Sequence, residues 1–148
     1  MARRSEPVRK SVREILDDLL AGHREAAFNG PQAASSYLRR TLEQQASLPN
    51  AVKAVAHDLL AEAQGRLGDW EGCARSVATA LEGLGELEAA FPHEFRRMLE
   101  AMTCFERGIQ ARGELGDFHG ALDLCDRALA LDLGAHYLAK RDSLEWAR

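Results

Sequence analysis

The sequence is poor in β-branched residues: Val, Ile and Thr together number 10 among 148, against 25 Ala and 21 Leu. A chain so short of strand formers and so rich in helix formers is expected to be all-helical. No apolar run approaches the roughly 18 residues of a membrane span, so no bilayer-crossing helix is expected. Cysteine is scarce as well. Cys73, Cys104 and Cys125 are odd in number and lack a C-x-x-C spacing, which points to free, buried thiols in a reducing cytoplasm rather than to bridges or a zinc site. Basic excess is missing too: 19 Lys and Arg face 23 Asp and Glu, a net charge of −4 that offers nucleic acid no field. Residues 1–13 do carry Arg3, Arg4, Arg9, Lys10 and Arg13 against Glu6 alone, leaving 14 basic and 22 acidic residues, or −8, for the remainder. So short an arm reads as a solvated helix start. No apolar stretch follows Arg3-Arg4, so no secretion signal is expected.

What the chain does have is an internal repeat. Ala63-Gln64-Gly65-Arg66-Leu67-Gly68-Asp69-Trp70-Glu71-Gly72 recurs 48 residues on as Ala111-Arg112-Gly113-Glu114-Leu115-Gly116-Asp117-Phe118-His119-Gly120, with six of ten positions identical. Ala80-Leu81 and Ala128-Leu129 keep the same offset. Each copy reads as helix, turn, helix. Val52, Val55, Leu59, Leu60, Ala63 and Leu67 recur at helical spacing. Gly68 can take the left-handed conformation that ends a helix, and Asp69 can cap the next one. The second copy predicts a helix from about Pro92 to Leu115, the Gly116-Asp117 turn, and a stripe of Ala121, Leu122, Cys125, Ala128 and Leu129. A fainter pair comes first. Val8, Val12, Ile15, Leu16 and Leu19 mark a helix with Ser5 as cap and Pro7 in its first turn, interrupted at Gly22 and resuming to Phe28. Asn29-Gly30-Pro31 is a turn, and Tyr37, Leu38 and Leu42 mark its partner. The expected architecture is a single all-α domain, 1–148. Its antiparallel pairs span about 7–46, 50–83 and 92–131, and a mixed capping helix covers 135–147.

Leu60-Ala61, Gly68-Asp69-Trp70, Cys73, Val77 and Ala80-Leu81, with Phe105, Ala111, Gly116-Asp117-Phe118, Ala121, Cys125 and Ala128-Leu129-Ala130-Leu131-Asp132, resemble the tetratricopeptide repeat (TPR) pattern. The likeness covers residues 51–133 well and 8–46 weakly. It implies a right-handed superhelix of three helix pairs. Three features depart from the pattern. Gly108-Ile109 stands where Leu and a small residue are usual, Leu133 stands at a proline position, and the spacings of 48 and 38 residues exceed the usual ~34. The extra length falls between Gly83 and His93, as in longer-spaced repeats similar to those of kinesin light chain.

Candidate chemistry is thin. His57-Asp58-x-x-x-Glu62 lacks a second histidine at metal-ligand spacing, and neighbours on a helix point about 100° apart, so no metal is expected. Asp117, His119 and Cys125 are accounted for by capping and core packing, and no strand precedes Gly65-x-x-Gly68 to make a phosphate loop. Neither enzyme activity nor a cofactor is expected. The resemblance implies instead a concave groove lined by the first helix of each pair, facing a protein or peptide partner. Asp58, Glu62 and Arg66 of one unit and Glu106, Arg107 and Gln110 of the next would border it. The family's carboxylate clamp needs Lys and Asn there, so a chaperone-tail specificity is not expected. The groove would be acidic and its partner basic or amphipathic. The expected function is a cytoplasmic, non-catalytic adaptor or chaperone-like scaffold; the alternative is a structural subunit that self-assembles into homo-oligomers.

Overall fold

A computed structural model describes residues 10–147, among which every regular element is a helix. The described residues form α1 (Val12–Phe28), α2 (Pro31–Gln44), α3 (Asn50–Arg66), α4 (Trp70–Glu82), α5 (Leu84–Ala90), α6 (Phe95–Ala101), α7 (Cys104–Glu114), α8 (Phe118–Ala130) and α9 (His136–Ala147). Each helix packs on its neighbour in the chain order α1, α2, α3, α4, then α7, α8, α9. Connections of two to five residues make successive long helices antiparallel. α3 also touches α1 and α7, so the first helices of the hairpins form a row of their own.

The two copies of the repeat use the same turn. Gly68 and Gly116 have φ of 74° and 77°, a region that costs a side chain strain and glycine nothing. One residue on, Asp69 accepts a hydrogen bond from Gly72 N (3.1 Å) and Asp117 one from Gly120 N (2.9 Å). Each carboxylate caps the helix it precedes.

Two expectations are corrected. The helix expected from Pro92 to Leu115 is two helices, because Met102 is extended (ψ 146°) and α7 starts afresh at Cys104. The third pair is therefore α7 with α8. The extra residues between the repeats form α5 and α6. Leu87 and Phe91 pack in the core beneath α1, α2 and α3, while Leu99 packs with α4, α7 and α8. Leu84, Phe95 and Met102 touch both clusters, so the insertion joins two cores. Arg13 of α1 stacks on Phe91 and pairs with Glu94, and Arg96 of α6 donates to the carbonyls of Leu131 and Asp132 after α8. Lastly, Gly22 does not interrupt α1, which runs unbroken through it. A side chain at Gly22 would instead collide with the Tyr37 ring of α2. The expected cap at Ser5 and first turn at Pro7 lie outside the described residues. Within them Ser11 caps α1, its hydroxyl accepting from Glu14 N (3.1 Å) while Glu14 accepts from Ser11 N (3.3 Å).

Gly108, the departure from the repeat pattern, has a packing role. A side chain there would overlap Val77 of α4 and Leu124 of α8. Its absence lets α7 wedge between them, where Leu60 fills the matching place in α3.

Candidate functional site

The row of first helices presents two hollows. The larger, about 750 Å³, lies between α3, α7 and α9 and is bordered by Glu62, Thr103, Glu106, Arg107, Gln110, Gly113, Glu114, Lys140 and Ser143, among others. The smaller, about 180 Å³, lies between α1, α2 and α3 beside His23, Ala34, Leu59, Ala63 and Arg66. Glu62 borders both, so the hollows belong to one continuous face.

Of the six residues expected there, Glu62, Glu106, Arg107 and Gln110 border the larger hollow and Arg66 the smaller. Asp58 does not, and its assignment to the groove is corrected. It is 5% exposed and accepts a hydrogen bond from Thr103 N (3.1 Å). It thus serves as the N-terminal cap that α7 lacks from its own residues. One turn along α3 separates it from Glu62, but α7 packs directly over it. Burial pushes the Asp58 carboxyl up to about 6, against the opposing pull of the hydrogen bonds from Thr103 and Cys104.

Glu62 is the hub of the face. Arg107 Nε donates to its Oε2 (2.7 Å) and Nη2 to its Oε1 (3.0 Å), a two-pronged pair between α7 and α3. Arg66 Nε donates to the same Oε1 (3.0 Å). These partners, Arg107 foremost, hold the Glu62 carboxyl down at about 2 although burial works against them. The third prong of the guanidinium, Nη1, donates to Gln110 Oε1 (2.8 Å). The Arg107 side chain lies flat across Gly65: a Cβ there would stand 3.0 Å from Cδ and 3.2 Å from Nε. The expected acidic wall is thereby thinned, since Asp58 is covered and Glu62 is already matched. Glu106 approaches His136 Nε2 at 3.4 Å. Glu114 forms no ion pair among the described residues.

Thr103, Gly113, Glu114, Lys140 and Ser143 also border the face and were not expected there. Glu114 could have been found, since it is the repeat counterpart of Arg66. The contribution of α9 could not, because nothing in a mixed helix says which side it lays down.

The other sequence candidates come apart. The Nδ1 of His57 is buried without a hydrogen-bond partner among the described residues, and burial, reinforced by Lys53, lowers its pKa. Its neighbours Asp58 and Glu62 are engaged elsewhere, and no cluster of three or more His, Cys, Asp or Glu residues among the described residues could hold a metal ion. Asp117 is occupied by Gly120 N and Arg112 (2.9 Å). All three cysteines are free and fully buried. Burial raises their thiols, that of Cys73 to about 11, so the nucleophilic thiolate is disfavoured. No described helix is long and apolar enough to cross a membrane.

Compared with known proteins, the chain matches no family model, no curated protein and no solved structure.

Proposed function

We propose that this chain is a TPR-like helical-repeat module. Its three pairs, α1–α2, α3–α4 and α7–α8, wind into a right-handed superhelix closed by α9, and the face lined by α1, α3, α7 and α9 receives a partner protein or peptide. The observation that carries this reading is the continuity of that face, with Glu62 bordering both hollows. A face that runs across several helices suits an extended or helical segment better than a compact metabolite. The module acts in the cytoplasm without catalysis, cofactor or nucleic acid. Its partner is amphipathic or basic, drawn by Glu106 and Glu114 rather than by the full wall that the sequence suggested.

A photo-crosslinking amino acid at position 110 should capture the partner in the native host, whereas one at Thr79, exposed on α4, should not. Equal capture at both positions, or capture at 79 alone, would move the interface off this face.

Self-assembly is the second reading, and one observation favours it. Phe28, at the end of α1, is 91% exposed and Trp146, in α9, is 90% exposed. Stacked repeats leave their outermost faces uncovered, and apolar rings there can meet those of another copy. Light scattering across a concentration series decides this. A mass that stays at one chain excludes it, while a rising mass abolished by Phe28→Ser with Trp146→Ser supports it.

A further inference from the structure

The 48-residue repeat supplies an internal template for what the larger hollow holds. In the first copy, Glu62 and Gly65 form a seat on α3: the glycine leaves room for the flat side chain of Arg107, and the carboxylate takes its prongs. The counterparts on α7 are Gln110 and Gly113, both bordering the hollow. A Cβ built at Gly113 meets nothing within 4 Å. The helix beyond, α9, brings Ala139, Lys140, Ser143 and Leu144 to the rim, none of which reaches across as Arg107 does. The negative charge of the seat is kept but displaced by one helical turn. Glu62 with Arg66 in the first copy becomes Gln110 with Glu114 in the second.

We infer that the Gly113 seat receives an arginine side chain from the partner, its guanidinium lying over Gly113 and donating to Gln110 Oε1 and the Glu114 carboxylate. This rests on the groove reading above and names the chemistry of its anchor. Gln110 Oε1 already accepts from Arg107, and a carbonyl oxygen has a second lone pair to offer. Guanidinium is favoured over ammonium because its planar fork serves two acceptors at once and stacks flat on an open helix face. Lys140 borders the same hollow, but it is exposed, and its flexible stem lets the ammonium remain in water. It forms no ion pair with Glu114 in the structure.

The test uses the full chain and a phage-displayed library of random dodecamer peptides. Binders are mapped by amide chemical shifts and then remade with Arg replaced by Lys or by uncharged citrulline. Peptides that perturb α1, α3, α7 and α9 should carry an essential arginine whose replacement weakens binding about tenfold, the worth of one charge-assisted hydrogen bond. Gly113→Leu should weaken it as much while leaving the thermal midpoint unchanged or raised, since the position is open and helical. Gln110→Glu, which restores the carboxylate of the first copy, should tighten it, and so should Lys140→Ala by removing a like charge. Peptides that bind this face without an arginine, or regardless of Gly113→Leu, overturn the seat and leave the groove standing. An absence of binders, or binders mapping to α2, α4 and α8, overturns the groove itself.

Discussion

The two repeat copies, α3–α4 and α7–α8, agree where the chemistry is local and differ where a neighbour is needed. Their turns are duplicates, with glycine at φ 74° and 77° and aspartate capping the following helix in both. Their first helices are not. α3 runs 17 residues from Asn50, whereas α7 runs 11 and begins on a cap supplied by Asp58 of α3. The counterpart of Asp58 is Glu106, which stays exposed and only approaches His136. Identical spacing thus yields a buried structural carboxylate in one copy and a surface charge in the other. The difference is what packs on top.

The sharpest way to break the comparison is to treat the two carboxylates alike. Asp58→Lys places an unmatched charge in the core and removes the α7 cap, and it should destabilise by about 3–5 kcal/mol. Glu106→Lys should change stability by less than about 0.5 kcal/mol. Urea denaturation of both variants measures this, and similar losses would mean that Asp58 is not buried as described. Asp58 also carries a pH signature of definite sign. Its folded pKa of about 6 exceeds the ordinary 3.8, so between those values the folded chain keeps a proton that the unfolded chain has lost. Stability through this group therefore falls as pH rises across that window. Asp58→Asn keeps the acceptor oxygen and cannot ionise, so that slope should vanish. Glu62 runs the other way. Held at about 2 against an ordinary 4.5, it contributes stability that is lost as pH falls between those values.

The turns should respond alike. Gly68→Val and Gly116→Val each force a β-branched residue into left-handed backbone and should cost about 1–3 kcal/mol in thermal melts. A neutral result at one turn only would break the equivalence of the copies.

A smaller effect tests the tie between them. A double-mutant cycle on Glu62→Gln and Arg107→Met should return a coupling of about 1 kcal/mol, since the pair is two-pronged but partly solvated. Zero coupling would show that this ion pair does not help to hold the two helices together.

The smallest effects have opposite signs. Gly113→Ala fills open space on a helix and should stabilise by about 0.5–1 kcal/mol. Gly65→Ala sets the same methyl 3.0 Å from Arg107 Cδ and should show no such gain. Equal gains at both would mean that Arg107 does not rest on α3.

Most of the helices were legible because their signals are local: alanine and leucine periodicity, glycine where the backbone turns left-handed, aspartate where a helix begins. Of the residues bordering the two hollows, those on α3 and α7 that the repeat puts in register could be read from it, whereas the α9 side could not. The break at Met102–Thr103 was not. Its cap stands 45 residues earlier in the chain, and no window of local sequence contains both halves of that hydrogen bond. The capping pattern of Ser11 and Glu14 is itself a local signal, present in the sequence as Ser-x-x-Glu.

By itself, the sequence determined that the chain is helical, where its repeated turns fall and which residues cap them, because backbone conformation and capping depend on neighbours within a few positions. Only the tertiary structure decided that the insertion joins two cores, that Asp58 leaves the surface while Glu106 remains there, and that Arg107 covers Gly65 while Gly113 stays open. Those outcomes depend on which helix lies across a given face, and burial is a property of the packed whole.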